Sequence, residues 1–237
     1  MAEETSNLKW GMVVDIDRCI GCQACVVACQ VENNIPINLE EHFQQRRAIE
    51  WIRIERYWEG KYPNVKARFI PLLCQHCDNA PCEPVCPVYA TYHNDQGLNV
   101  QVYNRCIGTR YCANNCPYQA RFFNWWEPVW PESLRNQLNP DVTVRSRGIM
   151  EKCTFCVQRI RRTEREAKRE GREVRDGEVA PACVQTCPTN TLVFGDLNDP
   201  QSRVSVMARD QRHYTLLEER ATEPSIIYLK KVDPHAE

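Results

Sequence analysis

The sequence predicts an α+β fold made of two copies of one small metal-binding unit. Two observations predict it. The 237-residue chain contains 15 cysteines, and they fall into four groups whose two spacing patterns alternate along the chain. Alternating apolar residues at Met12 to Ile16 and at Leu98 to Val102 also precede the first and third groups, and this pattern is typical of strands.

The cysteine groups show that the chain is internally repeated. In chain order they are Cys19, Cys22, Cys25 and Cys29; Cys74, Cys77, Cys82 and Cys86; Cys106, Cys112 and Cys116; and Cys153, Cys156, Cys183 and Cys187. The first and third groups begin with the same Arg-Cys-Ile-Gly tetrapeptide, at Arg18 and at Arg105. The second and fourth groups share an early Cys-x2-Cys and a late Cys-x3-Cys-Pro. Such self-similarity indicates two copies of a two-cluster, ferredoxin-like unit.

These spacings suit iron–sulfur clusters. Cysteines three residues apart in a tight loop can place three thiolates on one face of a cube, and the next cysteine can ligate the partner cluster. Small residues such as Gly21 and Gly108 let backbone amides approach the sulfurs. Zinc also uses paired Cys-x2-Cys motifs, but closed tetrahedral sites do not explain four-cysteine runs repeated in this order. An odd number of cysteines also argues against a framework made only of disulfides.

Thr109 breaks the repeat, because it stands where Cys22 stands in the first group. A hydroxyl is far less acidic than a thiol and is a poor substitute for a thiolate ligand. We therefore expect one iron to be absent and predict three 4Fe–4S clusters and one 3Fe–4S cluster. The alternatives are a 4Fe–4S cluster whose open corner carries water, hydroxide or the threonine oxygen, or an empty site.

Bulk properties exclude several classes of function. The net charge of −1 gives no indication of nucleic acid or of an anionic membrane surface as a partner. No apolar run approaches the roughly 18–20 residues that a membrane span needs, and residues 1–9 show no export signal. There is no glycine-rich nucleotide loop and no defensible nucleophile–base pair. We predict a soluble chain without catalytic residues.

Three motifs resemble a known family. They are CIGCQAC at residues 19–25, LCQHCDNAPC at 73–82 and EKCTFC at 151–156. They resemble the four-cluster iron–sulfur subunits of the dimethyl-sulfoxide reductase and polysulfide reductase complexes, and the resemblance covers roughly residues 10–200. Within that family, residues 105–124 look most like the subunits of alternative complex III and related quinone-linked complexes, for which a 3Fe–4S site is also described.

The resemblance implies how the cysteines are shared among the clusters. The implied 4Fe–4S ligand sets are Cys19, Cys22, Cys25 and Cys187; Cys29, Cys153, Cys156 and Cys183; and Cys74, Cys77, Cys82 and Cys116. The implied 3Fe–4S set is Cys86, Cys106 and Cys112, with its open corner at Thr109. The pairing also implies nesting: an outer unit of residues 10–34 plus 148–197 would enclose an inner unit of residues 66–124.

The segments between the groups carry weaker predictions. Residues 35–65 are interpreted as a β-hairpin insertion that serves as scaffold, with partner docking as the alternative. The Trp/Pro-rich loop at 125–147 is interpreted as core cover or as an interface. Residues 159–175 predict a solvated charged helix. We interpret residues 198–237 as a C-terminal strap across a neighbouring subunit, and His76 as a donor to a cluster ligand.

The resulting functional prediction is an electron-transfer subunit of a larger oxidoreductase. The resemblance implies a large molybdopterin-type or related redox subunit on one side and a polytopic quinone-binding membrane subunit on the other. The chain would then lie at the cytoplasmic membrane through its partners, on the extracytoplasmic side, with the cytoplasmic face as alternative. Two other hypotheses are a free ferredoxin-type carrier and an enzyme that uses the open iron corner.

Overall fold

The computed structural model describes residues 8–232 and shows an α+β fold. Its strands are β1 Trp10–Asp15, β2 Ile52–Lys61, β3 Asn64–Leu73, β4 Thr91–His93, β5 Asn99–Gln101, β6 Phe122–Phe123, β7 Met150–Glu151, β8 Leu192–Asp196, β9 His213–Tyr214 and β10 Ile226–Leu229. Its α-helices are α1 Ala24–Glu32, α2 Glu40–Gln44, α3 Tyr111–Asn114, α4 Val157–Arg169, α5 Ala182–Gln185 and α6 Arg203–Ala208. Most elements are short, because the cysteine-bearing loops occupy much of the chain.

A four-stranded sheet in the order β8-β1-β10-β9 anchors the fold. β1 is buried along its whole length. It pairs with β10 in parallel and with β8 in antiparallel orientation. Trp10 stacks on Phe194 of β8 at a centroid distance of 5.3 Å, on the face that packs into the main core. The opposite face, with Val13, is covered by Val204 of α6. The strand therefore reads as nearly continuous apolar sequence, as expected when both faces of a strand are buried.

The remaining elements differ in extent from the sequence predictions. β2 and β3 form an antiparallel hairpin whose pairing runs from Lys61↔Asn64 back to Ile52↔Leu73, beyond the predicted boundary at residue 65. α4 ends near Gly171, whose φ of +67° is left-handed and typical of a residue that follows a helix. Residues 125–147 contain one 3₁₀ segment, Glu132–Gln137, and are otherwise irregular.

The segment interpreted as a C-terminal strap lies, within the described residues, on this chain's own sheet. β10 inserts between β1 and β9, and Ile226, Tyr228 and Leu229 are almost completely buried there. Burial of these apolar side chains explains why the segment folds back on its own chain. Residues 233–237 of the same prediction lie outside the described part. No helix in residues 8–232 is both long and apolar enough to cross a membrane.

Candidate metal centres

The loops of the first and third cysteine groups have the same backbone conformation. Gly21 and Gly108 have φ of 70° and 75°, and Gln23 and Arg110 have φ of 62° and 63° immediately before α1 and α3. A Cβ on Gly108 would lie 2.1 Å from the carbonyl oxygen of Gly148, so only glycine fits there. The repeated tetrapeptide thus builds one cysteine-bearing loop twice.

The Cys-Pro motifs form a second repeated device. The backbone N–H four residues after the cysteine donates to its sulfur, at 3.2 Å from Ala90 to Cys86 and at 3.3 Å from Thr191 to Cys187. Ala120 donates in the same way to Cys116. Burial raises the pKa of Cys86, but hydrogen bonds from the backbone amides of Ala90, Val88 and Thr91, together with the charge of Arg121, lower it below the usual thiol value. Amides aimed at sulfur favour the thiolate, the form that binds iron.

The thiols of the first predicted ligand set lie near one another. Burial, followed by the charges of Cys19, Cys187 and Cys22, raises the pKa of Cys25 to about 12. The same four cysteines line one cavity, although Cys187 is more than 160 residues from the other three.

The second set behaves in the same way around Cys29. Burial, and then the charges of Cys153, Cys156 and Cys183, raise its pKa well above the usual value. Three of these cysteines lie more than 120 residues from Cys29 in the chain, so the folding of the chain has brought them together.

The cysteines predicted for the third and fourth sets also lie together. Burial and the charges of Cys74, Cys116 and Cys82 raise the pKa of Cys77 to about 12, against a hydrogen bond from Thr222 that lowers it. Burial raises the pKa of Cys112, Arg121 lowers it, and Cys106 and Cys86 raise it further.

Electrostatic effects between thiols of different sets indicate which predicted sets are neighbours. Cys25 of the first set acts on the pKa of Cys183 of the second, and Cys74 of the third set acts on that of Cys153 of the second. Arg121 acts on both Cys82 of the third set and Cys112 of the fourth. The order is therefore first, second, third and fourth.

The two ends of this series reach the surface. Cys22 in the first set and Thr109 beside the fourth set are both exposed. Thr109 has the backbone position that Cys22 has in the first loop, but it carries a hydroxyl there. The ligand position that departs from the repeat therefore faces out of the chain.

His76 lies inside the Cys-x2-Cys motif of the second group, directly before Cys77. It is fully buried and stacks on Phe155, the residue in the same place of the other motif, at a centroid distance of 4.0 Å. Its Nδ1 accepts a hydrogen bond from the N–H of Asn99 at 3.2 Å. Burial, and then nearby cations, lower its pKa well below the usual value. A hydrogen bond with the backbone of Cys153, a cysteine of the second predicted set, acts in the opposite direction and raises this pKa, and the role of His76 as a donor to a cluster ligand stays a prediction.

Sequence reasoning missed two polar residues beside the cysteines. Asn33 points its Nδ2 at the sulfurs of Cys29 and Cys156, at 3.6 and 3.7 Å. Arg121 is 6% exposed and approaches Cys112. Asn33 follows Cys29 by one helical turn, so that contact could have been read from the spacing. Nothing in the sequence pattern marks Arg121.

The donor chemistry fits iron–sulfur clusters. Each set offers cysteine sulfurs, backbone amides point at several of them, and the sets share no other ligating residue type. Within residues 8–232 no three or more His, Cys, Asp or Glu side chains are arranged to hold a single metal ion.

The sequence of this chain matches family models and known proteins, which indicate first its class of protein and then its family. Two family models, both described as a 4Fe–4S dicluster domain, match residues 18–90 and residues 65–131 respectively. The chain is 43% identical to the menaquinone reductase iron–sulfur cluster-binding subunit of Nitratidesulfovibrio vulgaris, over 95% of this chain and 90% of the relative. It is 38% identical to the Hdr-like menaquinol oxidoreductase iron–sulfur subunit 1 of Archaeoglobus fulgidus, over 96% and 86%. It is 33% identical to the arsenate respiratory reductase iron–sulfur subunit ArrB of Shewanella sp., over 94% and 97%.

The fold and its cysteines define a protein with 4Fe–4S dicluster domains. The chain belongs to the family of iron–sulfur subunits of dimethyl-sulfoxide-reductase-type and menaquinone reductase complexes. It is an electron-transfer subunit and not a catalytic one, which agrees with the prediction from sequence.

Proposed function

We propose that this chain relays single electrons through three 4Fe–4S clusters and one 3Fe–4S cluster, between a quinone-binding membrane subunit and a large redox subunit of molybdopterin or related type. The observation that carries the proposal is the order of the four cysteine sets: thiols of the first and second sets and of the second and third sets act on one another, and Arg121 acts on both the third and the fourth. Bound clusters would supply one-electron redox chemistry, and the protein tunes their potentials by burial, charge and hydrogen bonds.

The ligand assignment follows the proximity of the thiols. The proposed 4Fe–4S ligands are Cys19, Cys22, Cys25 and Cys187; Cys29, Cys153, Cys156 and Cys183; and Cys74, Cys77, Cys82 and Cys116. The proposed 3Fe–4S ligands are Cys86, Cys106 and Cys112. This assignment makes residues 10–34 and 148–197 one unit that encloses the unit of residues 66–124. The mutual effects of the thiols on pKa within each set support it.

The exposed ends suggest where partners bind. Ile20 beside Cys22 is 59% exposed, and Ile107 beside Thr109 is 64% exposed. Apolar side chains next to a terminal cluster favour fixed subunit contacts over brief encounters of a free carrier, which is the alternative function. Co-purification with both partners at high salt would support the subunit, because screening weakens encounters that depend on charge. We propose the extracytoplasmic side of the membrane, with the cytoplasmic face as alternative.

A matched pair of variants tests the cluster assignment. Thr109→Cys supplies the missing thiolate, so iron should rise from about fifteen to about sixteen per chain and the 3Fe–4S resonance of the oxidised protein should disappear. Cys22→Thr makes the reciprocal change in the equivalent loop, so iron should fall to about fourteen and a second 3Fe–4S signal should appear. Unchanged iron and spectra in both variants would refute the assignment of these two corners.

A further inference from the structure

Arg121 is a buried cation without a carboxylate partner. Its guanidinium donates to the Oε1 of Gln101 at 2.9 Å and to the oxygens of Thr91 and Asn99 at 2.6 Å each. All three acceptors are neutral, and Arg121 forms no ion pair with Asp or Glu within residues 8–232. Arg145, which is also buried, does have a carboxylate partner in Glu151.

An isolated buried cation is costly, so its charge must be compensated. The negative groups that Arg121 faces are the thiolates of Cys82, Cys74, Cys112 and Cys116. They belong to two different sets, the third and the fourth. The guanidinium therefore lies beside both proposed clusters of the inner unit (residues 66–124), called here the inner clusters. Its hydrogen-bond acceptors carry no charge of their own.

A fixed positive charge at this place has a defined electrical effect. Reduction adds one negative charge to a cluster, and a nearby cation stabilises the product more than the reactant. Gln101, Thr91 and Asn99 add no negative charge of their own, so the positive charge of Arg121 acts on the thiolates of both sets.

We propose that the buried charge of Arg121 raises the reduction potentials of the two inner clusters, those of the third and fourth sets. This proposal rests on the proposed function. The charge thereby makes the half of the series that consists of the third and fourth sets favourable for an electron to occupy. The outer sets, at Cys19 and at Cys29, are not among the groups with the largest effect on Arg121, so we expect their potentials to change less than those of the third and fourth sets.

Potentiometric electron paramagnetic resonance of the purified holoprotein tests this role. Arg121→Met removes the charge, and at a fixed ambient potential it should lower the ratio of reduced to oxidised 3Fe–4S cluster about tenfold, a fall of about 59 mV for one electron. The 4Fe–4S cluster of the third set should move in the same direction. Arg121→Lys keeps the charge and should keep most of the potential. The exposed-site control Arg209→Met should change none of them.

Gln101→Glu provides a second variant that keeps Arg121 in place. It puts a carboxylate at the 2.9 Å contact, so the guanidinium is neutralised and the same potentials should fall. If Arg121→Met does not assemble its clusters, this variant decides the question. Full iron and sulfide content with unchanged inner potentials would overturn the role of Arg121 alone. A wild-type protein without the four clusters would instead refute the proposed function.

Discussion

The buried ion pair between Arg145 and Glu151 gives the sharpest prediction about stability. Both side chains have no exposed surface, and their closest nitrogen and oxygen are 2.8 Å apart. Arg145 also donates to the carbonyl oxygens of Asn33, Asn34 and Thr143, at 2.6, 3.0 and 2.7 Å. This one side chain thus ties the 125–147 loop to the end of α1, next to the cysteines.

Arg145→Met should cost about 4–5 kcal/mol of unfolding free energy. Removing one partner of a buried pair costs about 3–5 kcal/mol, because the remaining charge is uncompensated. The upper part of the range applies because three backbone carbonyls also lose their donor, at about 1–3 kcal/mol for each group left without a partner. Trp51, which donates to Glu151 at 2.9 Å, cannot replace the lost charge.

Chemical denaturation followed by cluster absorbance measures this cost, with the double variant Arg145→Met/Glu151→Leu as the control. The double variant leaves no unpaired charge, so it should be clearly more stable than Arg145→Met alone. A loss below about 1 kcal/mol in Arg145→Met, a typical value for an exposed pair, would refute the reasoning. Equal stability of the single and double variants would refute it too.

Three further predictions concern the cluster loops and the pH dependence. Gly108→Ala should abolish the fourth cluster, because its Cβ would meet the Gly148 oxygen at 2.1 Å. The control Gly171→Ala has no atom within 4 Å of its Cβ and should lower the free energy of unfolding by only about 1–2 kcal/mol. Iron analysis distinguishes these outcomes, because only Gly108→Ala should lose iron. Asn33→Leu removes donation to two sulfurs and should lower the potential of the Cys29 set in a redox titration, with an unchanged potential as the contrary result. The hydrogen bond with Glu83 raises the pKa of His93 despite partial burial, so this pair stabilises the fold below the ordinary histidine pKa of about 6.5 and ceases to do so as pH rises through the raised value. The free energies of unfolding of His93→Gln and wild type should therefore differ by up to about 1 kcal/mol at pH 6 and converge at pH 9. A difference independent of pH would contradict this.

The cysteines that we propose as ligands stand out in the sequence because their spacing is local. A tight loop needs its glycine and cysteines a few residues apart, so the short spacing of Cys106 and Gly108 is enough to predict the loop. The strand at β1 and the hairpin at β2 and β3 were also visible, since their apolar and turn patterns are short-range. The departure at Thr109 became visible because the chain provides its own reference in Cys22.

The contacts that tune the site depend on distant parts of the chain. Arg121 gains its environment from Gln101 and Thr91 on the β4–β5 hairpin, and no spacing rule connects these positions. β10 pairs with β1 although more than 200 residues separate them. Local sequence patterns do not show such a pairing, so the sequence analysis did not predict a strand of this sheet within residues 198–237. The assignment of distant cysteines to their sets, such as Cys187 to the first, likewise came from the family resemblance and not from the spacing.

The most direct test of the central claim is electron paramagnetic resonance of the air-oxidised wild-type protein, together with iron and sulfide analysis. We predict a near-isotropic 3Fe–4S signal of about one spin and about fifteen irons per chain, three cubes and one cluster open at Thr109. On reductive titration this signal should respond at the highest potential of the four clusters. A silent oxidised spectrum with about sixteen irons would contradict the open corner, and an iron content near eight would contradict the four-cluster relay itself.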